Sequence, residues 1–238
     1  MPIPLVIAHR GYSSNALENS LEAVRLALSV PVDMIEVDIR RSRDNGLFVM
    51  HDRMTGRTAE RNVDIERSSS GQLAAIKLRN GEPVPSLAAL LGQVAGACSL
   101  NLEIKSAGAG LLAAEYIRSS GYTGPVLLSS FKEDEVRAVR TVMPDFPTSV
   151  IFDVFTLRNV KSYSAQGYKV ISLRKKTVSE KLIAACHEQG IKVNIWTVDE
   201  EDELRKFISW GVDGIYSNNP GVLKKIVADS KFQAPNDK

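Results

Sequence analysis

Short runs of apolar residues alternate with amphipathic helical segments along most of the chain. The first two runs, at residues 5–8 and 34–39, have the length of strands, and a helical pattern that begins near Glu18 lies between them. From Ser86, a predicted helix N-cap, the alternation is regular, with predicted strands at 99–105, 126–129, 148–151, 168–171, 191–196 and 214–216, each followed by a predicted helix. The pattern therefore predicts eight strand–helix units.

Alternating strands and helices favour an α/β fold with a parallel sheet covered by helices. The 238 residues of the chain match the usual length of a closed barrel of eight such units. An open sheet that binds dinucleotides is the alternative, but no Gly-x-Gly-x-x-Gly motif follows a predicted strand. The sequence thus predicts one domain over residues 1–238, folded as a (β/α)8 TIM barrel.

Residues 53–85 depart from this alternation. After a turn at Asp44-Asn45-Gly46, residues 47–50 read as an extra ribbon strand beside the barrel. The segment that follows is polar, contains several arginines and shows little periodicity, apart from a predicted short helix near Leu73. Long loops of this kind are usually functional. We interpret residues 53–85 as a small insertion after the second strand, lying over one rim of the barrel.

Composition and charge exclude several classes of protein. The formal net charge of +2 predicts no electrostatic attraction to nucleic acid or to an anionic membrane. No apolar run approaches the roughly 18 residues of a membrane span, and the N-terminal segment lacks the basic start and cleavage site of a signal peptide. Cys98 and Cys186 form no disulfide or zinc pattern. We expect a cytoplasmic protein with a small-molecule substrate, and the sequence predicts no oligomeric state.

The strand around Glu36 and Asp38 carries the first chemical signal. Side chains alternate along a strand, so these two carboxylates share one face while Ile35, Val37 and Ile39 share the other. The two acidic residues lie about 7 Å apart along the strand. A divalent cation between them would relieve their repulsion; the alternative is a solvated face paired with nearby arginines.

Further polar residues follow other predicted strands. His9 and Arg10 end the first strand, His51 ends the extra ribbon, and Glu103, Lys105 and Trp196 end later strands. Active sites of barrels of this type lie at the carboxyl ends of the strands. Buried charges are costly unless they are paired or bound to metal. This convergence therefore predicts a functional site at one rim.

The residue types suggest a role for each position. Glu36, Asp38 and Glu103 form an all-oxygen site, which suits one magnesium or calcium ion better than zinc. Arg10 and Lys105 suit the oxygens of a phosphate group. The sequence therefore favours an anionic, phosphate-containing substrate.

Two histidines and one tryptophan complete the predicted site. His9 and His51 titrate near neutrality and suit a general base and a general acid, in an order that the sequence leaves open. Trp196 either forms an apolar wall against the substrate or simply packs in the core. His187, which has no polar neighbour in the pattern, is interpreted as a surface or structurally paired histidine.

These residues belong to motifs that resemble those of the glycerophosphodiester phosphodiesterases. The matching segments are His9-Arg10-Gly11, Glu18-Asn19-Ser20, Glu36-Val37-Asp38, His51-Asp52, Leu102-Glu103-Ile104-Lys105, Ser129-Ser130-Phe131, Trp196-Thr197-Val198 and Gly211-Val212-Asp213-Gly214-Ile215. They span residues 7 to about 220 in the family's order.

The resemblance implies a TIM barrel with a small insertion and a divalent metal on Glu36, Asp38 and Glu103. It also implies His9 and His51 as the acid–base pair, with Arg10 and Lys105 on the phosphate. The implied reaction is hydrolysis of a glycerophosphodiester, such as glycerophosphocholine or glycerophosphoethanolamine, to sn-glycerol 3-phosphate and an alcohol.

Two positions depart from the family's pattern. Leu17 replaces the proline of Pro-Glu-Asn, which changes loop stiffness and leaves the implied chemistry in place. Asn218 stands where the family usually has the aspartate of Thr-Asp-x-Pro. The loss of that carboxylate removes a charge near the rim, with an effect on substrate preference that the sequence does not define.

Three functional hypotheses follow. The first is a metal-dependent phosphodiesterase acting on small glycerophosphodiesters. The second is a lysophospholipase D-like enzyme using the same site, which requires an apolar surface beside the rim; the polar insertion weakly favours the first. The third, a non-catalytic barrel that binds phosphodiesters, would tolerate the loss of a histidine or carboxylate, and none of the predicted ones is missing.

Overall fold

The computed structural model describes residues 3–232 of the chain. Within this range the strands are β1 (Leu5–His9), β2 (Met34–Arg41), β3 (Leu47–Val49), β4 (Ser99–Ile104), β5 (Val126–Ser130), β6 (Thr148–Phe152), β7 (Val170–Arg174), β8 (Lys192–Trp196) and β9 (Gly214–Ser217). The helices are α1 (Leu21–Leu28), α2 (Ser70–Ala74), α3 (Leu87–Val94), α4 (Ala109–Ser119), α5 (Glu133–Val142), α6 (Leu157–Ala165), α7 (Glu180–Glu188), α8 (Glu201–Ser209) and α9 (Pro220–Phe232). Over these residues, no helix has both the length and the apolar character required to cross a bilayer.

Eight of the strands form a closed parallel barrel. Their order is β1-β9-β8-β7-β6-β5-β4-β2, and β2 pairs with β1 to close the ring. The short strand β3 runs antiparallel along the end of β2, as an addition to the barrel. Each barrel strand leads to a helix, so the predicted (β/α)8 TIM barrel is confirmed.

The strand register sets the position of the predicted site. His9 pairs with Glu36 across β1 and β2, and Asp38 pairs with Glu103 across β2 and β4. Residues that pair directly in a parallel barrel point to the same side of the sheet. Barrel closure therefore brings all four side chains together on the inner face, near the carboxyl ends of three adjacent strands.

The strand face opposite the acidic residues forms the main core. Ile35, Val37 and Ile39 are fully buried and belong to the same apolar cluster as Val24 of α1 and Leu90 of α3. Their burial against the surrounding helices supplies the hydrophobic stabilisation of this half of the barrel. The predicted division of β2 into an apolar outer face and an acidic inner face is confirmed by this packing.

The barrel interior below the acidic residues is polar. Asn101 Nδ2 donates to the hydroxyl of Tyr216 at 2.8 Å, and Ser129 Oγ donates to Asn101 Oδ1 at 2.8 Å. Ser172 Oγ lies 3.2 Å from the same tyrosine oxygen. These mutual hydrogen bonds satisfy groups that would be costly to bury alone.

Two predicted helix starts have different outcomes. Ser86 caps α3 as expected, because its side chain accepts a hydrogen bond from the Ala89 amide. The first helix begins at Leu21 rather than near Glu18, with Ser20 as its N-cap. Asn19 has a φ of 58°, a left-handed conformation that a helix cannot include. The preceding residues instead form a loop that contacts the site.

The insertion has more internal structure than its sequence indicates. It contains 3-10 turns at Thr55–Arg57 and Ile65–Arg67 and the helix α2, which begins close to the predicted short helix. Its apolar residues form a separate small core with the end of the β3 ribbon: Phe48, Met50, Ala59, Ile65, Leu73, Ile76, Leu78 and Val84. The sequence pattern indicated a polar insertion and missed this core, because the apolar residues that form it are spaced with neither a helical nor a strand period.

This core predicts a measurable contribution to stability. Replacing the fully buried Leu73 with alanine should lower the free energy of unfolding by about 2–5 kcal/mol, the usual cost of such a cavity. Urea unfolding followed by fluorescence and circular dichroism measures the change. The matched variant Leu157→Ala, at a position with 45% exposure, should cost less than about 0.5 kcal/mol. Equal effects of the two variants would contradict a structural role for the insertion core.

Candidate active site

A small cavity at the carboxyl ends of the strands brings the predicted residues together. Its volume is about 180 Å³, and it is lined by His9, Arg10, Glu36, His51, Asn101, Glu103, Lys105, Phe131, Ile151, Ser172, Trp196, Thr197 and Tyr216. The remaining predicted residue, Asp38, is fully buried and in contact with this lining. Clefts for drug-sized ligands usually measure about 300–1,000 Å³, so this cavity suits a small polar group.

Three carboxylates form the centre of the site. Glu36 and Asp38 lie on β2 and Glu103 on β4, and one oxygen from each lies within 4.8 Å of the others. All three residues are buried, and Glu36 Oε1 has no hydrogen-bond partner among the described residues. Converging oxygen donors with an unsatisfied buried atom match the ligand preference of a hard divalent cation. The residues present therefore fit the predicted metal site.

Burial changes the acidity of the three groups in different directions. Desolvation, followed by repulsion from Asp38, raises the pKa of Glu36 to about 8 and that of Glu103 to about 7. Burial also opposes ionisation of Asp38, but Lys105 and Arg10 outweigh it and lower the pKa of this carboxyl. Without a cation, Asp38 is therefore the most readily ionised of the three groups, and Glu36 and Glu103 bind protons more tightly than ordinary glutamates do.

Two cationic side chains pair with this cluster. Lys105 forms a salt bridge with Glu103, and its Nζ lies 3.2 Å from Asp38 Oδ1. Arg10 Nε lies 3.3 Å from Asp38 Oδ2, and the Arg10 backbone amide donates to Glu36 Oε2 at 2.9 Å. Three carboxylates face two cations, so one negative charge is unbalanced when all three are ionised. That imbalance favours binding of a further positive charge.

The loop that carries Arg10 is held in a demanding conformation. Arg10 has a φ of 58° and Gly11 a φ of 79°. A β-carbon at Gly11 would lie 2.6 Å from the backbone of Ala23, so only glycine fits. Asn19 fixes the loop to the cluster, because its Nδ2 donates to Asp38 Oδ2 at 2.7 Å and its Oδ1 accepts from the Asp38 amide. The His-Arg-Gly and Glu-Asn motifs are thus two parts of one support for Asp38.

Asn218 determines the orientation of His9. The Asn218 Nδ2 donates to Asp199 Oδ2 at 2.7 Å, so its Oδ1 faces His9 Nδ1 at 2.7 Å and also accepts from Ser13. His9 Nδ1 must therefore carry the proton, which leaves Nε2 as the free nitrogen, 3.9 Å from Glu36 Oε2. Burial, and then the charge of Arg10, lower the pKa of His9. Asn218, which stands in place of the family's usual aspartate, thus links His9 to the carboxylate of Asp199.

Asp52 orients His51 in a similar way. Its Oδ1 lies 2.7 Å from His51 Nδ1. Partial burial opposes ionisation of Asp52, but hydrogen bonds from Arg57 and His51 hold its pKa at about 2. An ionised carboxylate only accepts hydrogen bonds, so His51 donates from Nδ1 and its Nε2 is free. Burial also lowers the pKa of His51.

Aromatic rings line one side of the cavity. Phe131, which follows β5, meets Trp196 edge to face with 5.4 Å between ring centroids. Lys105 Nζ lies 5.6 Å from the centroid of Phe131. The predicted alternatives for Trp196 were substrate wall and core packing, and the structure places the ring at the cavity. His187 lies elsewhere, with its Nε2 2.7 Å from Asp213, in agreement with a structural pairing.

Several residues at the site were not predicted from the sequence. Asp199 and Ser13 support Asn218, Arg57 contacts Asp52, and Phe131 lines the cavity. Phe131 is the last residue of one of the motifs that resemble the family's, so the sequence already indicated this position. The contacts of Asp199 and Arg57 depend on chain segments that no local pattern relates.

Comparison with known proteins defines the class. The model of the glycerophosphoryl diester phosphodiesterase family matches residues 9–222. A glycerophosphodiester phosphodiesterase from Caldanaerobacter subterraneus subsp. tengcongensis is 27% identical over 94% of this chain and 97% of its own. One from Bacillus altitudinis is 26% identical over 95% of this chain and 99% of its own.

A solved structure agrees in fold. The structure of an Oleispira antarctica phosphodiesterase in complex with the product sn-glycerol-3-phosphate has a TM-score of 0.87 at 21% identity, and the match covers 95% of this chain and 97% of that one. With a family match over most of its length, this chain belongs to the glycerophosphoryl diester phosphodiesterase family. The resemblance inferred from the motifs is therefore confirmed.

The raised pKa values predict pH-dependent metal binding. A cation held by all three carboxylates must displace the protons of Glu36 and Glu103, so its apparent affinity should rise with pH. With pKa values of about 8 and 7, the rise should reach about fiftyfold from pH 6 to 7 and about tenfold from pH 7 to 8. Isothermal titration of metal-stripped protein with Mg²⁺ or Ca²⁺ measures it. Affinity that does not change with pH would contradict this assignment of protons.

Proposed function

We propose that this protein catalyses the metal-dependent hydrolysis of glycerophosphodiesters, such as glycerophosphocholine and glycerophosphoethanolamine, to sn-glycerol 3-phosphate and an alcohol. The observation that carries the proposal is the cluster of Glu36, Asp38 and Glu103 in one cavity with two histidines whose Nε2 atoms are free. The product bound by the Oleispira antarctica phosphodiesterase supports the identity of the phosphate product. The whole chain acts as one domain, with residues 53–85 as an insertion in it.

Glu36, Asp38 and Glu103 hold one divalent cation, Mg²⁺ or Ca²⁺. When bound there, the ion polarises a phosphoryl oxygen and stabilises the negative charge of the transition state. Asn19 and the Arg10 amide keep Asp38 and Glu36 in position for this role. Both contacts restrict the carboxylates before a ligand arrives, which reduces the ordering cost of binding.

Arg10 and Lys105 bind the phosphate of the substrate. The guanidinium group supplies paired N–H donors, and the ammonium group adds a point charge from the end of β4. Both cations already lie at the carboxylate cluster, so the substrate anion is drawn to the position where the metal is held. Trp196 and Phe131 provide the apolar side of the cavity and limit water beside the reacting group.

His9 and His51 transfer the protons. One accepts through Nε2 the proton of the attacking oxygen, which belongs to water or to a glycerol hydroxyl group, and the other donates a proton to the oxygen of the leaving alcohol as the P–O bond breaks. Where the glycerol hydroxyl group attacks, water then opens the cyclic phosphate that has formed. Overall, one water molecule is added across the P–O bond to the leaving alcohol. Asn218 and Asp52 hold the two rings at Nδ1, so that Nε2 is the nitrogen available to the substrate.

The first test measures release of glycerol 3-phosphate from glycerophosphocholine. Metal-stripped protein should be inactive, and Mg²⁺ or Ca²⁺ should restore turnover. His9→Ala and His51→Ala should each lower kcat by about 10²–10⁴-fold, the usual contribution of an acid or a base, and should retain metal binding. His187→Ala is the matched control and should keep full activity, since this histidine pairs with Asp213 away from the cavity. Metal-independent turnover, or full activity without His9, would contradict the proposal.

A second candidate is hydrolysis of lysophospholipids at the same site. Three apolar side chains are exposed on the segments that follow β5 and β6 at this rim: Phe131 (42%), Val154 (68%) and Leu157 (45%). They offer a surface for a single acyl chain beside the cavity, which the polar composition of the insertion did not indicate.

This alternative predicts a selective effect of surface charge. Val154→Asp should reduce hydrolysis of lysophosphatidylcholine by about tenfold, because a charge opposes binding of an acyl chain. The same variant should hydrolyse glycerophosphocholine at the wild-type rate. The assay compares initial rates on the two substrates below the lipid's critical micelle concentration. No turnover of the lipid by the wild-type protein, or equal loss on both substrates, would exclude this candidate.

A further inference from the structure

A continuous chain of ion pairs connects the two sides of the site through the insertion. Arg10 Nη1 lies 2.8 Å from Glu18 Oε1, and Arg57 binds both oxygens of Glu18, at 2.7 and 2.9 Å. Arg57 Nε then lies 2.5 Å from Asp52 Oδ2, whose other oxygen meets His51. One guanidinium group of the insertion thus contacts both carboxylates that hold Arg10 and His51.

The backbone of Arg57 is itself fixed. Arg79 donates to the Arg57 carbonyl oxygen at 3.0 Å and to the Gly56 carbonyl oxygen at 2.7 Å. The Gly56 amide donates to Asn62 Oδ1, and a β-carbon at Gly56 would lie 2.7 Å from Asn62. This tight turn holds the Arg57 side chain over Glu18 and Asp52, so less rotamer freedom is lost when the ion pairs form.

An ordinary surface salt bridge contributes little to the stability of a protein, usually about 0–1 kcal/mol. Arg57 differs because each of its two carboxylate partners also binds a residue of the cavity. The Asp52 carboxylate only accepts hydrogen bonds, and its two oxygens bind Arg57 and His51 respectively. The position of Arg57 therefore sets the angle at which Asp52 meets His51. Glu18 is also shared, because its Oε1 accepts from both Arg57 and Arg10 while its Oε2 accepts from Arg57.

We propose that Arg57 is a positioning residue of the insertion, which fixes the His51 ring through Asp52 and the Arg10 guanidinium group through Glu18. The inference deepens the proposed function, because His51 and Arg10 matter to catalysis only if that function is correct. It gives the insertion a direct role at the site: residues 53–85 supply the group that aligns a proton-transfer residue with a phosphate-binding residue.

The kinetic test compares Arg57→Gln and Arg57→Lys with Arg53→Gln. Arg53 is a matched control, since it lies in the same insertion, has similar exposure (50% against 47%) and binds Asp64 and Glu66 instead. Arg57→Gln should lower kcat on glycerophosphocholine by about 10–100-fold, the usual effect of losing a partner that orients a ligand residue. KM should rise less, Arg57→Lys should recover part of the loss, and Arg53→Gln should stay within twofold of wild type.

A double-mutant cycle tests the route through Asp52. If Arg57 positions His51 through Asp52, Arg57→Gln should slow the Asp52→Asn variant much less than it slows the wild type, and the loss that remains should come from the route through Glu18 to Arg10. Combining Arg53→Gln with Asp52→Asn supplies the reference for an independent arginine. Additive effects of Arg57 and Asp52, or an Arg57→Gln variant as active as Arg53→Gln, would overturn the proposal.

A spectroscopic test needs no substrate and therefore separates the two proposals. The chain has three histidines, so their imidazole ¹⁵N signals are readily assigned by substitution. At pH 8 the wild-type His51 should show the neutral form protonated at Nδ1, and Arg57→Gln should convert it to a mixture of the two tautomers. His9 and His187 should not change. An unchanged His51 signal would overturn the inference, whereas an inactive wild type with the expected His51 change would refute only the proposed function.

Discussion

The burial of three carboxylates at one end of the barrel is the constraint on which the rest of the site depends. Desolvation alone would keep Glu36, Asp38 and Glu103 protonated, and their mutual repulsion adds to that cost. Arg10 and Lys105 offset the cost for Asp38, and Asn19 supplies the matching hydrogen bonds. The loop with left-handed Arg10 and the motif at residues 18–20 are consequences of that requirement, because each delivers a group to the cluster.

This arrangement divides the tasks between the two faces of the strands. The inner face carries the carboxylates and, below them, a hydrogen-bonded layer that includes Asn101, Ser129 and Tyr216. The outer face packs against the helices and supplies the large apolar clusters. Hydrophobic stabilisation outside the barrel thus allows a polar layer inside it, beside the small apolar cluster of Ile7, Met34, Leu127 and Tyr216.

The insertion contributes differently from the barrel. Its own small core around Ile65 and Leu73 makes it a folded unit rather than a flexible cover. Because it is ordered, it holds Arg57 at fixed distances from Glu18 and Asp52. The barrel therefore supplies the carboxylates and cations that line the cavity, and the insertion supplies an arginine that contacts them through Glu18 and Asp52. The match to the glycerophosphoryl diester phosphodiesterase family includes both the barrel and the insertion.

Local patterns in the sequence determined the strand order, the closed barrel and the inner position of Glu36, Asp38 and Glu103. Strand periodicity defines which side chains share a face, and a parallel barrel gathers the carboxyl ends of all its strands at one rim. Only the tertiary structure decided the partner of His9 and the arginine that holds Asp52. Asn218 meets His9 because β9 closes the barrel beside β1, and Asp199 in turn holds Asn218. Arg57 reaches Asp52 because an aperiodic core folds the insertion. Such contacts depend on closure and packing between distant segments, which no local periodicity records.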